Sequence, residues 1–173
     1  MSKKEKTVVK SFRVSQSAFK TLEAEAASQN VTLNTLLNQI VIRYASWGRF
    51  VSKYKGIVIA RSAFERLLNV SSDDVVAELG RQAGSETPKT IMFAKHGEVS
   101  LESVLDYIRG GATYGGFAEY SEVEKQGKLV ITMIHNLGTK GSIYLSNNLQ
   151  SIFDTAGFHP KISSTEQAIL IEI

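Results

Sequence analysis

Residues 7–47 read TVVKSFRVSQSAFKTLEAEAASQNVTLNTLLNQIVIRYASW. Thr7 to Val14 is rich in β-branched and aromatic residues, alternates in part, and contains no Gly or Pro, which predicts a strand. Ser15 is a good N-cap, and Ala18, Phe19, Leu22 and Ala26 follow it at helical spacing. Asn30 tolerates the left-handed conformation that closes such a helix. After Val31, Thr32 is a second N-cap. Leu33, Leu36, Leu37, Ile40, Val41, Tyr44 and Trp47 then form an apolar stripe, which Gly48 is expected to end. The order is strand, helix, short turn, helix.

The single strand decides the assembly. One strand cannot satisfy its own backbone donors and acceptors, and no second strand lies nearby in the sequence. Two amphipathic helices of this length also bury too little to stand alone. Both problems vanish when two chains pair their strands into an antiparallel ribbon over four helices, so a two-fold homodimer is expected.

With its entry KSFRVSQSAFKTLEAEA and its second helix NVTLNTLLNQIV, the segment resembles the ribbon-helix-helix family of DNA-binding proteins, the MetJ/Arc group. That family reads the major groove with a β-ribbon. The resemblance covers residues 7–47, about a quarter of the chain. It implies base-reading positions at Val9, Ser11 and Arg13, on the strand face opposite Phe12 and Val14. Arg13 suits guanine O6 and N7, Ser11 donates or accepts, and Val9 suits a thymine methyl. It also implies a phosphate clamp at the start of the second helix, from Thr32 and the backbone amides of Leu33 and Asn34. Lys3, Lys4 and Lys6 would add salt-sensitive affinity for the phosphate backbone. The chain departs from the family pattern at Lys10, on the Phe12 face where an apolar residue is usual, and at Val9, which replaces a polar reader.

Charge agrees with this placement. The 173 residues carry a net charge of +3, but residues 1–55 hold ten basic against three acidic side chains, a net of +7. Residues 56–173 hold ten basic against fourteen acidic, a net of −4. A basic head on a mildly acidic body suits a polyanion-binding module joined to a second domain. The chain has no Cys, which excludes a disulfide framework, a thiolate metal site and a cysteine nucleophile. No apolar run is long enough to span a bilayer, and no apolar stretch follows the Lys-rich start as in a signal peptide, so a cytoplasmic location is expected.

The expected fold class is α+β, with a ribbon-helix-helix module over residues 1–48, a stretch at 49–55, and a mixed α+β domain over 56–173. GRFVSKYK reads as a linker or as the frayed end of the second helix. GIVIA (Gly56 to Ala60) reads as a short strand, Ser62 as the cap of a short helix to Leu68, and Ser71 or Ser72 as the cap of a longer one. Asp73 and Asp74 suit the positive end of that helix. TIMFA (90–94) is strand or helix, and Ser100 caps LESVLDYIRG. Gly110 to Gly116 (GGATYGG) lacks the Lys-Ser/Thr ending of a phosphate loop and reads as a turn. Two strands joined by Gln126-Gly127 follow, then a helix ending at Gly157 and a strand over Gln167–Ile173. The chain is expected to end β-β-α-β.

His135, Asn136, Lys140 and Ser142 lie where a strand feeds a helix, which makes them candidate ligand residues. Metal binding is not expected. Nickel-responsive ribbon-helix-helix repressors carry a sensor domain in the same order, but they use closely spaced His and a Cys, whereas His96, His135 and His159 are far apart. His135 and Ser142 have no nucleophile elbow, so neither an enzyme nor a cofactor is expected. The resulting expectation is a dimeric transcriptional regulator, a repressor, that binds double-stranded DNA. Its C-terminal domain would sense a small-molecule effector or build a higher oligomer. The alternative is an antitoxin with a DNA-binding N-terminus, whose tail would wrap a toxin.

Overall fold

The computed structural model describes residues 7–173, so Lys3, Lys4 and Lys6 lie outside the described residues. The chain divides into two units, Met1–Tyr44 and Ala45–Ile173.

In the first unit, α1 (Gln16–Ser28) starts at Ser15, whose hydroxyl accepts from the Ala18 amide at 3.3 Å. It ends as the sequence predicts. Asn30 adopts φ +54°, with Asn30 N–H donating to Ala27 O and Val31 N–H to Ala26 O. These are the two crossed bonds that close a helix through a left-handed residue. Thr32 then caps α2 (Leu33–Arg43) by accepting from the Thr35 amide at 3.1 Å. Only Ala26 and Leu36 are buried between the two helices, while Phe19, Ile40, Val41 and Tyr44 stay exposed.

Residues 7–14 form no strand, contrary to expectation. A strand exists only where its backbone is paired, and no other described segment of the chain pairs with this one. The expected ribbon is one between two chains, and a single chain supplies only one of its strands. Gly48 does not stop the helical backbone either. It adopts right-handed helical angles between a π-helical turn, Tyr44–Gly48, and α3 (Arg49–Lys53), in which Phe50 is buried.

The second unit begins with further corrections. Gly56 to Ala60 is not a strand, and Val58 is 97% exposed. Ala60 rather than Ser62 precedes α4 (Arg61–Asn69). Ser72 caps α5 (Asp73–His96), with Asp73 and Asp74 in its first turn, and TIMFA is the last part of that helix. The glycine-rich GGATYGG is not a turn but the end of α6 (Leu101–Gly115). Its glycines make room for rings: a Cβ on Gly110 would lie 3.2 Å from Trp47, and one on Gly111 would lie 3.2 Å from Phe117. Aromatic packing thus overrides glycine's weak helix propensity here.

Strands β1 (Glu119–Lys125) and β2 (Lys128–Ile134) form the expected hairpin. Gln126 and Gly127 take φ of +54° and +74°, the double left-handed turn that matches strand twist. Helix α7 (Gly138–Asp154) follows, then β3 (Lys161–Ser164) and β4 (Ala168–Glu172). The ending is β-β-α-β-β, because β3 was hidden in the polar KISS segment. All pairings are antiparallel, in the order β1-β2-β4-β3.

Ile131, Met133, Ile169 and Ile171 point from one sheet face into a core shared with Val104, Ile108, Leu145, Leu149, Ile152 and Phe153 of α6 and α7. Helix α5 lies against α7 at backbone distance. A Cβ on Gly80 would fall 2.4 Å from Tyr144 O, and one on Gly84 2.3 Å from Asn148 O. The Ser151 hydroxyl donates to Arg81 O at 2.9 Å across the same seam. Gly84→Ala gains helix propensity of about 1 kcal/mol but forces the helices apart. We expect a net loss of roughly 1–3 kcal/mol, read as a lower thermal midpoint.

Candidate nucleic-acid interface

Val9, Ser11 and Arg13 all lie in the exposed segment before α1, with Val9 95% exposed. Phe12 and Val14 are exposed as well, so one chain alone does not divide this segment into a buried face and a reading face. Arg13 is the cation nearest the start of α1. Thr32 spends its hydroxyl on Thr35 N–H, which leaves the first-turn amides of Leu33 and Asn34 without an intrahelical acceptor. Those amides sit at the positive end of the α2 dipole.

Of the candidate ligand residues of the second unit, His135 and Ser142 are brought into contact, and the polar atoms of His135, Ser142 and Lys140 are occupied internally. His135 is fully buried. Its Nδ1 accepts from the Leu137 amide at 3.0 Å, and its Nε2 lies 3.0 Å from the Ser142 hydroxyl. Ser142 in turn donates to Thr165 O at 2.5 Å. These partners require the neutral ring with its proton on Nε2. The chain of bonds ties the end of β2 to α7 and to the loop before β4. Lys140 reaches the Asp73 carboxylate and Ser71 O, each at 2.6 Å, and so fastens α7 to the start of α5. Asp73 therefore gains a cation as well as the helix dipole. Asn136 is exposed and takes φ +53°, which turns the chain into α7.

A second polar cluster escaped the sequence reading. Lys95 and His96 both contact Asp106 Oδ2, at 2.6 and 3.0 Å. They border a hollow of about 10 Å³ beside Trp47 and Tyr107, the size of one water. Burial alone raises the Asp106 carboxyl, but the bonds from Lys95 and His96 outweigh it and hold the group below its ordinary value. Burial pushes the Tyr107 hydroxyl up to about 12. Only an i, i+1 Lys-His pair near the end of a helix hinted at this cluster, and the length of α5 that sets its position was not legible. His159 pairs separately with Asp154 at 3.0 Å. Among the described residues no three His, Asp or Glu side chains converge as metal ligands, and no helix is long and apolar enough to cross a membrane.

No family model, curated protein or solved structure matches the chain.

Burial, with a smaller effect from the nearby Arg61 guanidinium, holds the His135 imidazole below its ordinary value. The unfolded chain therefore takes up a proton that the folded chain resists. Stability from this group is fully present above the ordinary imidazole value of about 6.5 and declines as pH falls below it. The Asp106, Glu78 and Glu122 carboxyls, also held low, enter only below the ordinary carboxylate range. We expect urea-unfolding free energy to fall between pH 6.5 and 5 (roughly, from the same reference values) and the difference from a His135→Gln chain to narrow over that window.

Proposed function

We propose that the chain is a dimeric, sequence-specific DNA-binding transcriptional regulator, a repressor, that reads the major groove with a ribbon formed by residues 7–14 of two copies. The observation that carries this reading is an exposed segment bearing Arg13, which leads into two capped helices whose apolar side chains stay open to water. Pairing with a second copy would satisfy the backbone of residues 7–14. It would also cover Phe12, Val14, Ile40 and Val41, which are costly to leave in water. Period-two alternation would then place Val9, Ser11 and Arg13 on the outer face, toward base edges. Thr32, Leu33 and Asn34 would hold a phosphate at each flank, and the net charge of +7 over residues 1–55 would supply the salt-dependent share of affinity.

The unit Ala45–Ile173 has its own packed core, which supports a sensing or oligomerising partner domain over a tail that wraps a toxin. Selection of genomic DNA fragments by the purified chain tests the reading. Recovered sites are expected to have pseudo-two-fold half-sites. Arg13→Ala should weaken binding to them by about 1–3 kcal/mol and relax the preference at one base position. Recovery of random fragments, or an affinity that Arg13→Ala leaves unchanged, would count decisively against it.

A further inference from the structure

The strand pairing gives the sheet two unlike faces. One carries Ile131, Met133, Ile169 and Ile171 and is covered by α6 and α7. Alternation puts Val123, Val130, Ile134 and Leu170 on the other. None of these four joins the core, and Val123 and Ile134 are 58% and 41% exposed. The solvent face of an antiparallel sheet is ordinarily polar, and Ser121, Thr132 and Ser163 keep the middle row of this one partly so, but the four apolar side chains set among them mark a contact surface.

Charge on this open face is divided by end. At the hairpin end Lys125 and Lys128 stand directly opposite each other, and Lys161 pairs with Glu172 in the same layer at 3.3 Å. Two like charges facing across strands destabilise a sheet. At the other end, beside Ile134 and Ala168, the face carries Glu119. We infer that this face is a contact between two copies of the chain, packed sheet to sheet with β1 antiparallel over β1 of the second copy. That two-fold arrangement sets Glu119 of each copy against Lys125 and Lys128 of the other, and closes Val123, Val130, Ile134 and Leu170 between them. The other two-fold arrangement, with its axis along the strands, would bring the lysine ends together.

The face is small. Four strands about 4.8 Å apart and about six residues long cover roughly 400 Å². A stable interface needs about 800 Å² from each partner. The contact is therefore weak alone and fills when two copies are already tethered, where the local concentration reaches the millimolar range. For that strength, though not for the shape of the face, it rests on the dimer proposed above.

The chain has no Cys, so single cysteines report cleanly. Ser121→Cys places a thiol on the open face of β1, and Ser11→Cys places one in the proposed ribbon. A bismaleimide spanning about 10 Å, the distance between packed sheets, is added to each full-length variant. Ser121→Cys is expected to give a cross-linked dimer. Adding Lys125→Glu and Lys128→Glu together, both exposed changes, should cut the yield at least threefold, and adding Glu119→Lys as well should restore it. No Ser121→Cys dimer, an unchanged yield with Lys125→Glu and Lys128→Glu, or no recovery when Glu119→Lys is added to them would each overturn the contact. Ser11→Cys dimers without Ser121→Cys dimers leave the DNA-binding reading standing and remove the sheet contact. The reverse pattern keeps the contact, as one strong enough to form without a tether, and removes the ribbon.

Discussion

Two carbonyl oxygens, those of Tyr144 and Asn148, occupy the space where side chains would stand on Gly80 and Gly84. That close approach fixes α7 along α5, and the opposite side of α7 then packs on the sheet through Leu145, Leu149, Ile152 and Phe153. With one sheet face committed to α6 and α7, the other is left to water. The same seam sets where Lys140 meets Asp73, and so holds the loop before α5. Much of the second unit follows from two missing methyl groups on one helix. Close packing explains why so small a change matters: interiors have no spare volume to absorb a methyl set against a carbonyl.

The first unit obeys a different economy. Its helices are well specified at their ends, by Ser15, Asn30 and Thr32, yet they bury little between them. Strong local signals with weak burial are what the proposed pairing with a second copy would complete. The second unit has the reverse character. Its core is continuous, and its polar interior at His135 and Ser142 is internally satisfied. Buried hydrogen-bond chains of that kind rigidify the elements they join. His135 thus serves the junction of β2 with α7 by geometry alone.

Local chemistry was legible wherever it was short-range. The caps at Ser15, Thr32, Ser72 and Ser100, the left-handed Asn30, and the Gln126-Gly127 hairpin all follow from residue type and spacing. What failed depended on partners distant in sequence. GGATYGG looked like a turn because nothing in those seven residues reveals the rings of Trp47 and Phe117 that need the space. Residues 7–14 and 56–60 have strand-like composition, but composition does not supply a paired neighbour. The strand at Lys161–Ser164 was missed for the opposite reason: its sequence is polar, and its pairing with β4 makes it a strand. At the candidate site, His135 and Ser142 were found as neighbours, but that their atoms are already engaged required the loop carrying Thr165, twenty-three residues beyond Ser142.

Trp47 is the only tryptophan in the chain, and it packs beside Gly110 and Gly111, 5.5 Å from the Tyr107 ring, entirely within Ala45–Ile173. Indole emission from this protein is thus a private signal of one unit. Far-ultraviolet ellipticity sums the helices of both. Following the two optical channels together separates the melting of the N-terminal helical pair from that of the larger body, with no label introduced.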